Sequence, residues 1–502
     1  MKNHIIKKQT LFFCLFIISI FNALGAEQKR PNIIFLMADD LSPMWFSAYG
    51  ERSEVKTPNF DRMVDEGVGF SNAWCTPMCS PTRALVLTGQ YGMRTGWLHN
   101  ALKVSDNKKN IDFLANGADP FLRQMKKAGY KTAFCGRWGI PANWNLISPD
   151  IDEYCNHIST ADQLPDGYEL QEIIEENDRI FALINGIPEG STESKTLKIR
   201  IESKEGYAKK PFFSRYWNPS ISHNGKLLDT DTNDFGADIF TDFVLDFANR
   251  NKEDPFIIYY PMFLTHGIAD KKSKDKLPKP PHLGQPSFIR GGTMKDCSEY
   301  VDVVLGKIMN GLIESELSEN TIFIFNSDNG DCVYGKSHAT AKGARVPYAI
   351  WGPGLVKQRG MVNNLTEFSD LFTTILDIGN APAPSQILDG TSIKDFIVGD
   401  SEKTRSTIFS YIGTARMARN KDFVLEAVDP IFNAPKGRLL KTNGETDPAK
   451  FKKVKTEDYP EAYQSLLSQI NKLPQADYGS AYAEKAFNKY KKLPAKFRHK
   501  LE

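Results

Sequence analysis

Several short apolar runs along the chain share one property: each ends in polar residues able to do chemistry. Ile33 to Ala38 runs into Asp39 and Asp40, and Lys131 to Cys135 leads to Arg137. Phe256 to Leu264 leads to His266, and Ile322 to Phe325 leads to Asp328 and Asn329. Continuous apolar runs bounded by breakers predict strands buried on both faces; a half-exposed strand would alternate. Between these runs the apolar period becomes helical. Phe60, Met63 and Val64 precede Gly67, and Phe121, Leu122 and Met125 precede Gly129, which reads as a C-terminal cap. Segments 239–249, 299–313 and 367–379 carry the same period. Strands alternating with helices predict an α/β sandwich around a largely parallel sheet. Ligands of such sheets bind at the carboxyl ends of the strands, where the polar residues just named would gather.

After Ala381-Pro382-Ala383-Pro384 this rhythm weakens. Residues 405–445 read as short strands and loops, and 455–502 as two amphipathic helical stretches. The chain therefore divides into a large α/β domain, 27–400, and a smaller C-terminal α+β subdomain, 401–502. A length of 502 residues exceeds what one growing core sustains. The last stretch is basic, with Lys485, Lys489, Lys491, Lys492, Lys496, Arg498 and Lys500, and reads as a solvated helix face. No internal repeat or low-complexity tract is present.

At the N-terminus Lys2, Lys7 and Lys8 precede an apolar stretch from Leu11 to Phe21, followed by the small residues Ala23, Gly25 and Ala26. That order predicts a secretory signal over 1–26, hence a periplasmic or secreted protein. The stretch falls short of the about 20 residues that span a bilayer, and no second one of that length follows, so no transmembrane segment is expected. Composition is that of a soluble globular protein, 41% hydrophobic and 25% charged. A net charge of +2 gives no electrostatic case for a nucleic-acid partner. Removing the signal leaves Cys75, Cys79, Cys135, Cys155, Cys297 and Cys332, too scattered for a disulfide scaffold or a zinc finger.

The densest chemical signal is Cys79-Ser80-Pro81-Thr82-Arg83, running directly into Ala84-Leu85-Val86-Leu87-Thr88-Gly89. A cysteine opens a predicted helix, a proline sits in its first turn, and an arginine follows at i+4 on the same face. The N-terminus of a helix favours anions, and the arginine could clamp one. A bare cysteine there would be a packed residue. The whole string, however, resembles the signature Cys-x-Pro-Ser/Thr-Arg of the formylglycine-dependent sulfatases, as do Thr57-Pro58-Asn59-Phe60-Asp61-Arg62 and Phe70-Ser71-Asn72-Ala73.

The resemblance implies an alkaline-phosphatase-like sandwich, densest in likeness around 57–96 and loosest after residue 400. It implies that a sulfatase-maturing enzyme oxidises Cys79 to formylglycine, whose hydrated aldehyde is the nucleophile. It also implies hydrolysis of sulfate esters. Export makes a sulfated poly- or oligosaccharide, and so a bacterial carbohydrate sulfatase, the sensible expectation. Asp39, Asp40, Asp328 and Asn329 offer oxygen ligands only, which suits calcium or magnesium and not zinc. They resemble the family's calcium site, which a formylglycine oxygen at position 79 also approaches. His266, after Tyr259-Tyr260-Pro261, resembles the family's active-site histidine. Lys336 lies nine residues before Arg345-Val346-Pro347, the family's spacing for a catalytic lysine, with Lys342 as its rival. By resemblance Arg83, Arg137 and Lys336 neutralise the sulfate, Arg137 and Lys342 contact the substrate, and His266 or Lys336 protonates the leaving alcohol.

One position departs from the family. Where Gly-Lys-Trp-His is usual, this chain has Gly136-Arg137-Trp138-Gly139. Arg137 keeps the charge with a different geometry. Gly139 lacks the histidine that serves the second half of the cycle, and His99, His157 and His338 are possible substitutes. Two other readings stay open at this stage. One is a phosphatase or phosphodiesterase on the same scaffold, disfavoured by Cys79 and by the shortage of histidine ligands. The other is a sulfated-glycan-binding protein that has lost turnover.

Overall fold

The protein was analysed as a computed structural model. It describes residues 29–493 except 101, 104–116, 141–143, 177–178, 204–211, 268–276, 285–290, 334 and 477–480. The expected signal segment lies outside the described residues. Among those described, no helix is long and apolar enough to cross a membrane.

An eleven-stranded sheet runs through the molecule. At its centre Asn32–Ala38 lies between Phe256–Pro261 and Thr321–Ser327, parallel to both. Lys131–Gly136 and then Glu153–His157 extend the parallel array on one side. On the other side Tyr348–Trp351 enters antiparallel and pairs with Val68–Trp74. All seven residues of Asn32–Ala38, Val68–Trp74 and Thr321–Ser327 are buried; the first and last have unbroken apolar middles, whereas Val68–Trp74 also buries Ser71 and Asn72. The α/β expectation holds, with the sheet parallel in its middle and mixed toward its edges.

Helices cover both faces, which splits the apolar interior into two clusters on opposite sides of one strand. Ile33, Phe35 and Met37 belong to one cluster; Ile34, Leu36 and Ala38 belong to the other. The helices Pro58–Asp65, Phe121–Lys127, Gly236–Arg250, Met294–Glu314 and Ser369–Ile378 fall where the helical period placed them. Gly129 follows its helix at φ 79°, a conformation that favours glycine. Asp302 joins two of these helices. Its carboxylate accepts hydrogen bonds from the Asn59 and Phe60 backbone N–H groups at 3.2 and 2.6 Å, satisfying donors that the start of Pro58–Asp65 leaves open.

Toward the C-terminus a five-stranded antiparallel sheet spans Ile408–Ile412 to Lys452–Lys453. The helix Pro460–Asn471 covers one of its faces through Leu466 and Ile470. Its other face packs through Ile408, Ile412, Met417 and Val424 against Trp74, Met78 and Cys79. The smaller sheet thus forms a floor beneath Cys79.

A separate four-stranded antiparallel sheet, formed by Glu169–Glu176, Arg179–Gly186, Lys195–Ser203 and Phe212–Phe213, was not anticipated. The alternation of Leu197, Ile199 and Ile201, all buried, was a legible signal. Glu169–Glu176 hid it, because this edge strand is exposed along nearly its whole length.

Candidate active site

The parallel strands deliver their polar termini to one end of the sheet. Asp39 and Asp40 follow Asn32–Ala38, Asp328 and Asn329 follow Thr321–Ser327, and Arg137 follows Lys131–Gly136. Cys79 arrives from Val68–Trp74 through a short loop and is the first residue of the helix Cys79–Thr88, every residue of which is buried. Gly89 ends that helix at φ 67°.

Asp39, Cys79 and Asp328 each place one ligand atom within 4.8 Å of the other two, and so do Asp39, Asp40 and His266. Arg83 lies fully buried among the acids. Its Nη2 donates to Asp328 Oδ2 at 2.7 Å and to Asp39 Oδ2 at 3.0 Å, and its Nε donates to Asp328 Oδ2 at 3.0 Å. Arg137 Nη1 reaches Asp39 Oδ2 at 2.5 Å. Lys336 Nζ reaches Asp40 Oδ1 at 2.5 Å, where Asn329 Nδ2 also donates at 2.7 Å. Asp40 turns the chain at φ 65°, a left-handed conformation uncommon outside glycine and tolerated best by Asp and Asn.

Burial and neighbouring charge together decide the ionisation of these groups. Burial alone would raise Asp39, but the surrounding cations hold its carboxyl well below the ordinary range. Burial, with Asp39 and Asp40 close by, pushes Asp328 up to about 7 despite Arg83. Asp40 is raised as well, chiefly by burial, with Asp39 adding to the effect. Burial opposes the charge on Lys336, yet Asp40 outweighs it and keeps the amine protonated above its usual range. His266 goes the other way: burial holds its ring neutral at ordinary pH.

These acids fit a hard cation on two observations. Asp39 Oδ1 and Asn329 Oδ1 are buried with no hydrogen-bond partner, a costly condition that a metal ligand bond would relieve. Asp40 and Asp328 are carboxyls made reluctant to ionise by burial and by neighbouring carboxylates, which a divalent ion beside them would reverse.

Of the residues named from the sequence, Asp39, Asp40, Cys79, Arg83, Arg137, His266, Asp328, Asn329 and Lys336 come together here. Lys342 does not. Its backbone carbonyl packs against Gly330 and Gly335, while its exposed side chain lines a separate cavity of about 220 Å³ with Met44, Glu51 and Arg345. The short helix Ala341–Ala344 turns the side chain away, which favours Lys336 over its rival.

Two residues of this region were missed. Asn100, in the hairpin after Trp97–His99, has its side-chain Nδ2 3.8 Å from Cys79 Sγ. Arg215 is buried, and its Nη1 lies 3.1 Å from His266 Nδ1. Neither sits in a recognisable motif; both reach the site only through chain folding far from it in sequence.

The substitutes proposed for the absent histidine are unequally placed. His157 is held by Ser159 Oγ and the Ser214 carbonyl, and burial lowers its pKa to about 3. His99 is buried next to Asn100, with its ring 5.4 Å from that of Tyr490. His338 belongs to a loop in which the neighbouring Ser337 N–H donates to the Pro77 carbonyl at 2.7 Å, close to Cys79 in sequence.

Gly139 is more than a missing side chain. It adopts φ 69°, and a Cβ there would lie 3.1 Å from Arg83 Cδ and 3.2 Å from Nε and Nη1. Backbone therefore packs against the Arg83 guanidinium. Restoring the family residue with Gly139→His is expected to lower sulfate-ester turnover by about 10²-fold, since a Cβ there crowds Arg83, which Asp39 and Asp328 hold in place, and φ 69° strains any side chain. Steady-state kinetics check this; a gain of activity would contradict the packing.

The sequence model of the family described as Sulfatase matches residues 31–381. The chain belongs to the sulfatase family. This sulfatase, a sulfuric ester hydrolase, is 26% identical over 408 residues to N-acetylgalactosamine-6-O-sulfatase of Bacteroides thetaiotaomicron, covering 72% of this chain and 75% of the relative. It is 27% identical over 418 residues to human N-acetylgalactosamine-6-sulfatase, covering 79% and 71%. Among solved structures, one in complex with its substrate D-glucosamine-2-N,6-O-disulfate superposes with a TM-score of 0.60 at 18% identity, over 92% of this chain and 99% of the other. At that identity the likeness is one of fold, and it bears out the alkaline-phosphatase-like expectation.

Proposed function

We propose that this sulfatase hydrolyses sulfate esters of an extracellular or periplasmic sulfated saccharide, with a nucleophile made from Cys79 and a calcium ion held by Asp39, Asp40, Asp328 and Asn329. The observation that carries the reading is the cluster of Cys79 with Asp39 and Asp328, joined by two orphaned buried oxygens and by three cationic side chains paired to its acids. The relatives' names, which specify sulfated amino sugars, support a saccharide substrate. Oxidised to formylglycine and hydrated, position 79 would supply the attacking oxygen, and calcium would supply positive charge against it and the sulfate.

The chain's own residues then divide the work. Arg83, Arg137 and Lys336 bring positive charge to an anion that would otherwise repel a nucleophile. Lys336, kept protonated by Asp40, holds a proton for the leaving alcohol. His266, neutral and positioned by Arg215, is suited to hydrogen-bond the ester oxygen.

The test has two parts. Peptide mass spectrometry of protein produced beside a sulfatase-maturing enzyme should find formylglycine at position 79, and a panel of defined sulfated saccharides should release sulfate from at least one. Unmodified cysteine in fully active protein would refute the nucleophile assignment. The absent histidine adds a kinetic expectation. Losing a positioned base costs about 10²–10⁴-fold on the step it serves, so sulfate expulsion should limit turnover. Rapid mixing with a chromogenic aryl sulfate should show a burst of phenol before a slower steady rate. A linear course at ordinary rates would identify a substitute base, to be located by replacing His99, His157 and His338 singly.

A further inference from the structure

We infer that the C-terminal helix Ala481–Lys491 is a second contact surface for the substrate, binding a multiply sulfated, polyanionic chain beside the active site; this rests on the sulfatase reading. The basic run that reads in sequence as a merely solvated face acquires a location from the fold.

The helix is anchored close to the nucleophile position. Tyr490 is fully buried, its ring 5.4 Å from the His99 ring and 6.3 Å from Phe432. Phe487 and Leu493 pack against the same core, so residues 487, 490 and 493 form the docked stripe. His99 is followed directly by Asn100, whose amide nitrogen lies 3.8 Å from Cys79 Sγ. One hairpin therefore carries the helix on one residue and touches the nucleophile position with the next.

Lys485 and Lys489, at i and i+4 on the helix, and Lys492, one residue past its end, lie away from the docked stripe, and all are exposed. At 1.5 Å per residue they span about 10 Å. Among the described residues none of these three forms an ion pair, whereas the ammonium of Lys491 sits over the Phe487 ring at 4.6 Å. Like charges at this spacing repel, a cost that an anionic ligand would convert into attraction. Lys496, Arg498 and Lys500 continue the basic sequence.

Charge complementarity selects the occupant. The buried Arg83 and the partly buried Arg137 and Lys336 surround a site for one sulfate group. A polymer that inserts one sulfate there must leave its others outside. Within a screening length of about 10 Å at 0.1 M salt, a row of exposed ammonium groups attracts those sulfates.

The experiment compares the parent enzyme with the triple variant Lys485→Gln, Lys489→Gln, Lys492→Gln on two probes. One is p-nitrophenyl sulfate hydrolysis; the other is fluorescently labelled chondroitin sulfate, followed by anisotropy and by its inhibition of that hydrolysis. The variant should turn over the small ester with unchanged kcat and KM, yet bind and be inhibited by the polymer about tenfold more weakly at low salt. The difference should vanish at high salt. Unchanged polymer affinity at low salt would overturn the inference, and so would lysine-dependent binding that never competes with the small ester. Should the parent hydrolyse no sulfate ester at all, the sulfatase reading falls, and anisotropy alone still judges whether the lysines bind the polymer.

Discussion

Cys79→Ala is expected to abolish sulfate-ester hydrolysis while leaving the protein folded. Removing a catalytic nucleophile typically costs about 10⁶-fold in kcat, because the remaining groups act only through it. The side chain lost is small, and its surroundings are held by much larger groups: Trp74, Met78, Ile412 and Met417 pack in the same cluster. Thr82 also remains, its hydroxyl 2.7 Å from that of Thr76 at the start of the helix. Thermal unfolding of the variant should therefore track the parent within a few degrees. Residual turnover near the parent's level, in protein shown by mass spectrometry to carry alanine, would remove Cys79 from the chemistry. A variant that fails to fold would instead show that Cys79 is a packing residue. Calcium-dependent stabilisation retained by the folded variant would separate the metal site from the nucleophile.

The second large effect concerns the acids. Exhaustive chelation should abolish activity, and calcium should restore it. Asp328→Asn keeps the size of the side chain and a hydrogen-bond acceptor for Arg83, but removes a negative charge from the oxygen set. It should weaken calcium binding by at least about 10²-fold, a loss at the upper end of what supporting residues alone produce. Activity at limiting calcium should fall accordingly and recover in part at high calcium. Isothermal titration and calcium-dependent thermal shifts measure the binding without reference to turnover. Chelated enzyme that works normally would sink the metal assignment. Asp328→Ala is the harsher change. It leaves the buried Arg83 with Asp39 as its remaining carboxylate partner, and breaking a buried pair costs about 3–5 kcal/mol.

Much of this was legible before any fold was known. The buried strands announce themselves as unbroken apolar runs because both their faces are covered, and each run ends where a polar residue is needed. Asp39, Asp40, Asp328 and Asn329 could be paired across almost 290 residues for that reason, since parallel strands bring their carboxyl ends to one side. Cys79 was legible through local sequence alone: the start of a helix, a proline in its first turn and an arginine one turn on.

Contacts between distant segments were not legible, because a contact leaves no periodic trace in either segment. Nothing near Asn100 says that its amide meets Cys79, and nothing near Arg215 says that it meets His266. Lys336 and Lys342 are equivalent by charge and nearly so by spacing. Only the turn at Ala341–Ala344 decides that one points at Asp40 and the other away. Gly139 is the sharpest case. In sequence it is an absence, whereas in the structure its backbone occupies the surface of Arg83, since φ 69° and the lack of a Cβ allow that approach. The basic C-terminal run shows the same division: sequence fixes its charge and its helical period, and the burial of Tyr490 against His99 decides where that charge is held.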